Sequence, residues 1–96
     1  MKTKREVERL LRKHKAFLRE RFSVRRIGVF GSCARGSRRK KSDIDILVEF
    51  DAPIGWEFID LKEYLEEILG TKVDLVTTRA LKPELRESIL NEVVFA

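Results

Sequence analysis

Glutamine is absent from this 96-residue chain, and asparagine, cysteine and histidine each occur once. A lone cysteine, Cys33, closes no internal disulfide. With a single histidine beside it, it makes no tetrahedral zinc site either. No second cysteine or neighbouring histidine is there to activate it, so Cys33 reads as a small side chain at a permissive position. Long apolar runs are also lacking: none approaches the roughly 18–20 residues that a membrane-spanning helix needs, so no membrane association is expected. The first residues, MKTKREVER, carry charge where a signal peptide needs its apolar stretch, which leads us to expect a cytoplasmic protein. Aromatic residues are sparse, at 8% of the chain. Few of them interleave with the basic residues, so the net charge of +5 does not make a nucleic-acid surface, and direct nucleic-acid binding is not expected. The scarcity of thermolabile amides beside 39% charged residues is the composition of a heat-adapted source.

What is present suits a single domain over residues 1–96. A chain of this size buries roughly 60–70% of its unfolded surface, room for one core. Charge is divided unevenly, with 16 Lys and Arg against 3 Glu in residues 1–41 and 5 Lys and Arg against 13 Asp and Glu in residues 42–96, or +13 and −8. Much of the basic excess falls on a helix predicted over residues 2–22, where Val7, Leu10, Leu11, His14, Phe17 and Leu18 recur at three- and four-residue steps. His14 lies on that stripe and is expected to pack rather than to catalyse. A β-rich run follows at residues 24–30. Further on, a helix beginning near Gly55 keeps Ile54, Phe58, Leu61, Leu65 and Ile68 on one face and ends at Gly70 as a left-handed cap. Trp56 and Tyr64 lie off that stripe and are expected to serve packing. A strand over residues 72–76 then turns Val73 and Leu75 to one side and Asp74 to the other; the strand–helix–strand crossover should set it parallel to the strand before. Pro83 suits the first turn of a last helix with Leu85, Ile89 and Val93 in a stripe. The apolar tail at residues 94–96 is free to dock on the domain or on a partner.

The stretch that carries chemistry is residues 31–48, GSCARGSRRKKSDIDILV. Ile44, Ile46, Val48 and Phe50 alternate with Asp43, Asp45, Leu47 and Glu49, the period of a strand with one apolar face. Asp43 and Asp45 therefore point the same way, with Cα atoms about 6.5–7 Å apart. Two such carboxylates can hold a hard cation, and magnesium suits them best because it prefers oxygen ligands and is commonly shared with phosphates. Taken alone, the pair reads first as two solvated aspartates on an edge strand. Upstream, Gly31 and Ser32 end the first strand, and Ala34 and Arg35 can begin a helical turn whose free amides attract anions. Gly31 and Ser32 alone read first as an ordinary turn with Ser32 as a helix cap; it is their combination with the second strand that points to chemistry. Between the two motifs lies the basic run at residues 38–41, where positive charge could meet a triphosphate or an acidic partner.

Together, GSCARG followed by SDIDILV resembles the signature of the polymerase-beta-like nucleotidyltransferase superfamily. The chain is most similar to its minimal branch, the MNT antitoxins that stand beside HEPN-domain toxins, and the resemblance covers nearly its whole length. It implies an α/β fold of the α+β kind, α-β-α-β-α-β-α, with a small mixed sheet flanked by helices. A third carboxylate is expected in the family on a later strand, and Asp74 in KVDLV occupies that place. The resemblance implies that Asp43, Asp45 and Asp74 hold magnesium, two ions in all, and form the catalytic set. Gly31 and Ser32 would bind the outer phosphates of ATP, with Arg35 supporting that loop. The implied activity is transfer of AMP from ATP to a tyrosine hydroxyl of a HEPN ribonuclease toxin, with release of pyrophosphate, in a complex with the toxin. Two other readings stay open: an antitoxin of the same fold that acts by binding alone, and a nucleotidyltransferase subunit acting on a small molecule or an RNA end.

Overall fold

The computed structural model describes residues 3–31, 44–53 and 55–96. Within them the chain forms α1 (Lys4–Lys13), α2 (Lys15–Phe22), β1 (Val24–Phe30), β2 (Ile44–Phe50), α3 (Glu57–Leu69), β3 (Val73–Thr77), a 3-10 turn (Thr78–Ala80), α4 (Pro83–Glu92) and β4 (Val94–Phe95). The four strands make one mixed sheet in the order β3-β2-β1-β4. As the crossover requires, β2 and β3 are parallel, while β1 runs antiparallel to both β2 and β4. This is the α+β arrangement expected, with one strand more than the sequence suggested, because the apolar tail adds itself to the sheet; the helix expected between the first two strands lies outside the described residues.

A capping box starts α1: the Thr3 hydroxyl accepts from the Glu6 amide at 3.2 Å and the Glu6 carboxylate accepts from the Thr3 amide at 3.4 Å. The single helix predicted over residues 2–22 is divided at His14, whose φ of −98° and ψ of 5° leave the helical basin. The hydrogen-bond ladder nevertheless continues through it, from the His14 amide to Leu10 at 3.1 Å and from the Leu18 amide to His14 at 2.9 Å. At this break His14 Nδ1 lies 2.7 Å from the Tyr64 hydroxyl, and Phe17 stacks on the Tyr64 ring at 5.0 Å. His14 and Tyr64 thus both serve packing. Gly70, at φ 68°, ends α3 in the left-handed conformation that glycine adopts without strain. Trp56 departs from expectation: it is 84% exposed, because it precedes α3 and lies off the face that meets the sheet.

One face of the sheet carries the main core. Val7 and Leu11 of α1, Leu18 and Phe22 of α2, and Leu61, Leu65 and Leu69 of α3 close over Ile27, Val29, Ile44, Ile46, Val48, Val73 and Leu75. Leu69 was not on the predicted stripe, and Ile54, which begins that stripe, lies outside the described residues. The other face of β2 is not simply polar. Leu47 is wholly buried there with Phe30 and Leu81, and Val76, Ile89, Val93 and Phe95 pack around them. The last helix begins at Pro83 as expected but buries no residue, and Leu85 is half exposed rather than part of a buried stripe. It rests lightly on this second face.

Candidate functional site

Strand parity decides which side chains can meet. Residues paired across neighbouring strands share a face. Asp45 is in register with Asp74 on the parallel partner β3 and with Phe30 on the antiparallel partner β1. Neighbouring strands lie about 4.7–4.9 Å apart, so the two carboxylates arise side by side on the second face of the sheet. Asp45 is half-buried, whereas Asp74 is exposed to solvent. Two residues along each strand on the same face, Leu47 and Val76 join Phe30 and Leu81 in an apolar floor. The carboxylates therefore stand at the edge of a dry patch.

Gly31 closes the arrangement from the β1 side. Its φ of +72° is open to glycine but strained for other residues. A Cβ at this position would run into the Asp45 carboxylate, with the Asp45 Cγ only 3.0 Å away. The backbone at Gly31 thus approaches the acidic group as closely as the absence of a side chain allows. The sequence placed Gly31, Asp45 and Asp74 in the site, and the fold brings these three together. Ser32, Cys33, Arg35, the basic run at 38–41 and Asp43 lie outside the described residues. Among the described residues no group of three or more metal-ligating side chains comes together.

Asp45 and Asp74 supply hard carboxylate oxygens from two adjacent strands, a donor set that fits magnesium and does not fit softer thiophilic ions. Sequence reasoning missed Gly28. It is in register with Phe95 of β4, and a Cβ there would sit 2.7 Å from the Val94 carbonyl oxygen and 2.8 Å from Val93 Cγ2. Its signal, a glycine inside a strand run, marks a close backbone approach. That approach fixes the tail beside the strand that presents Gly31.

Comparison with known proteins agrees with this geometry. A family model described as nucleotidyltransferase domain matches residues 11–96. The protein adenylyltransferase MntA of Thermococcus cleftensis is 51% identical over 96 residues, covering 99% of this chain and 97% of that protein. A solved structure assigned as a minimal nucleotidyltransferase is 41% identical with a TM-score of 0.76, over 92% of this chain and 93% of the other. A toxin–antitoxin structure with AMP-PNP is 27% identical with a TM-score of 0.71, over 88% of this chain and 69% of that one. No helix among the described residues is long and apolar enough to cross a membrane. With the motifs, the sheet order and a family match across most of its length in agreement, the chain belongs to the nucleotidyltransferase domain family and is a nucleotidyltransferase of the minimal kind.

Proposed function

We propose that this chain is an antitoxin that transfers AMP from ATP to a tyrosine hydroxyl of a partner HEPN ribonuclease, releasing pyrophosphate. The observation that carries this reading is the in-register pair Asp45 and Asp74 with Gly31 pressed against Asp45. That constellation stands in a chain about half identical, end to end, to a protein adenylyltransferase. The toxin–antitoxin neighbour holds AMP-PNP, an ATP analogue, which supports ATP as the donor.

Asp43, Asp45 and Asp74 would hold magnesium, which when bound neutralises phosphate charge and favours in-line displacement. Gly31 and Ser32 bind the outer phosphates, and Arg35 supports that loop or reaches a phosphate oxygen. The acceptor oxygen forms a bond to the α-phosphorus as the bond from that phosphorus to the α,β-bridging oxygen breaks. The hydroxyl proton passes toward the Asp74 carboxylate, and pyrophosphate leaves with the electron pair. Asp74 is exposed, so a side chain presented by a folded protein can reach it.

The test is transfer of label from α-labelled ATP, with magnesium, to the co-expressed HEPN partner, comparing wild type with Asp43→Ala/Asp45→Ala. Label on the wild-type partner that disappears with the variant is the expected result. A partner neutralised equally by both chains and labelled by neither would mean that the antitoxin acts by binding. Label on an RNA end or a small molecule instead would move the chain to the other branch.

A further inference from the structure

At the opposite end of β2 from Asp45 lies a groove of about 770 Å³ that the transfer chemistry does not use. Val48, the lining residue of β2 nearest to Asp45, stands three residues further along the strand, so the groove begins roughly 10 Å from the carboxylates at about 3.3 Å per strand residue. Its charged lining consists of Arg25 and Arg26 from β1, Glu49 and Asp51 at the end of β2, Arg79 after β3 and Arg86 from α4. Arg25 is 3.3 Å from Asp51, and Arg26 is 3.2 Å from Glu49. Among the described residues neither Arg79 nor Arg86 has an acidic partner; the Arg86 guanidinium donates only to the Thr78 carbonyl, at 3.4 Å. Four arginines against two carboxylates leave the groove with a surplus of two positive charges.

Apart from Thr77 and Thr78 the rest of the lining is apolar, with Val48, Phe50 and Phe58 beside Leu90 of α4, which is 38% exposed. In the segment between the lining residues Pro53 and Phe58 stands Trp56, 84% exposed, and one helical turn on is Ile59, 49% exposed. An apolar centre, a rim rich in arginine and an exposed tryptophan are the makings of a protein interface, where Trp and Arg are enriched among the residues that dominate binding. Glu49 and Asp51 are already held by Arg26 and Arg25, so the lining offers two further cations beside apolar side chains rather than the run of basic groups that a phosphodiester chain, with one negative charge per nucleotide, calls for. A polypeptide can match both the cations and the apolar side chains.

We propose that this groove docks a protein partner through an acidic segment that carries an apolar anchor. The proposal rests on the partner-protein reading above: the docked protein is the AMP acceptor, held at one end of the sheet while its hydroxyl is served at the other. Arg79 and Arg86 meet the acidic side chains, and Phe58 and Leu90 receive the anchor.

The test measures affinity between the full chain and the HEPN partner by calorimetry, for wild type and for Arg79→Glu/Arg86→Glu, with magnesium-ATP binding followed in parallel. Charge reversal should weaken the partner roughly tenfold or more while ATP binding is kept, and wild-type affinity should fall as salt is raised from about 0.05 to about 0.5 M. Amide exchange on the wild-type complex, which needs no variant, should show protection at residues 50–53 and 77–79. Unchanged partner affinity, or protection confined to other surfaces, overturns the proposal. So does a variant that loses binding to a single-stranded RNA oligonucleotide but keeps the partner, since the groove would then serve RNA. A partner that docks in the groove yet receives no AMP would refute the transfer reading and leave the docking site standing. A wild-type chain with no affinity for the partner refutes both.

Discussion

The two faces of the sheet are built to different standards. Toward α1, α2 and α3, side chains such as Leu11, Leu18, Ile46 and Leu65 are wholly buried, and three helices cover the strands. On the other face the buried set is Phe30, Leu47 and Leu81, and the helix laid over it buries none of its own residues. Asp45 and Asp74 stand on this thinner face. A carboxylate set into the thick face would be desolvated without a partner, at a cost of several kcal/mol. On the thin face Asp74 keeps its water, and Asp45 is half-buried beside an apolar floor that strengthens its pull on a cation. Stability and chemistry are thereby assigned to opposite sides of the same strands.

Substitutions can break that division or sharpen it. The largest effect on stability is expected from Leu65→Ala on the thick face, a loss of about 2–5 kcal/mol in urea unfolding. A loss under about 1 kcal/mol would show that this face is not where stability resides. Next comes Gly28→Ala on the thin face, whose added methyl meets the Val94 carbonyl oxygen at 2.7 Å. Overpacking of this kind costs about 1–3 kcal/mol, and the Ala96 amide, which donates to the Ile27 carbonyl, should exchange faster with solvent. If the variant is neutral, the tail yields and the close approach has no structural weight.

Tyr64→Phe should cost about 0.5–1.5 kcal/mol by removing the hydrogen bond to His14. Burial, aided by Glu67, holds the Tyr64 hydroxyl above its ordinary value of 10.0. The neutral phenol is therefore favoured by folding. That contribution is complete below about pH 10 and is lost as the pH rises through the folded value. The alkaline fall in melting temperature should be shallower in Tyr64→Phe than in wild type. Smallest of all is the expected effect of Asp74→Asn on unfolding, within about 0.5 kcal/mol for an exposed residue, although AMP transfer should be lost. A large destabilisation by this change would join what the two faces keep apart.

Much of this arrangement was legible in the residues themselves. The opposite facing of Asp74 against Val73 and Leu75 follows from strand alternation, and the parallel pairing with β2 follows from the crossover, so the register of Asp45 on Asp74 was within reach. Gly70 likewise announced the end of α3. Other features depend on partners distant in sequence. Leu47 alternates with the wrong neighbours for the thick core and is buried only because Phe30 and Leu81 meet it on the other side. A strand of two residues, Val94 and Phe95, carries no periodicity, and its pairing follows from the gap that Gly28 leaves. The groove arginines come from β1, the turn after β3 and α4, and no local pattern links them. Trp56 misled because apolar character was read as burial, whereas among the described residues none covers it at the start of α3.

β4 is held to β1 by the pairs Gly28 with Phe95 and Val29 with Val94, and the Ala96 amide reaches the Ile27 carbonyl at 2.9 Å. Beyond these bonds the tail is held by Lys15 Nζ, which donates to the Ala96 carbonyl at 3.1 Å, and by Arg26 over the Phe95 ring. When residues 94–96 peel away, the outer edge of β1 at Ile27, Gly28 and Val29 is bared, a hydrogen-bonding template for any other extended chain. Residues 94–96 thus cover that edge of β1, and nicking by a protease near Val93 is expected to open it to pairing with another chain.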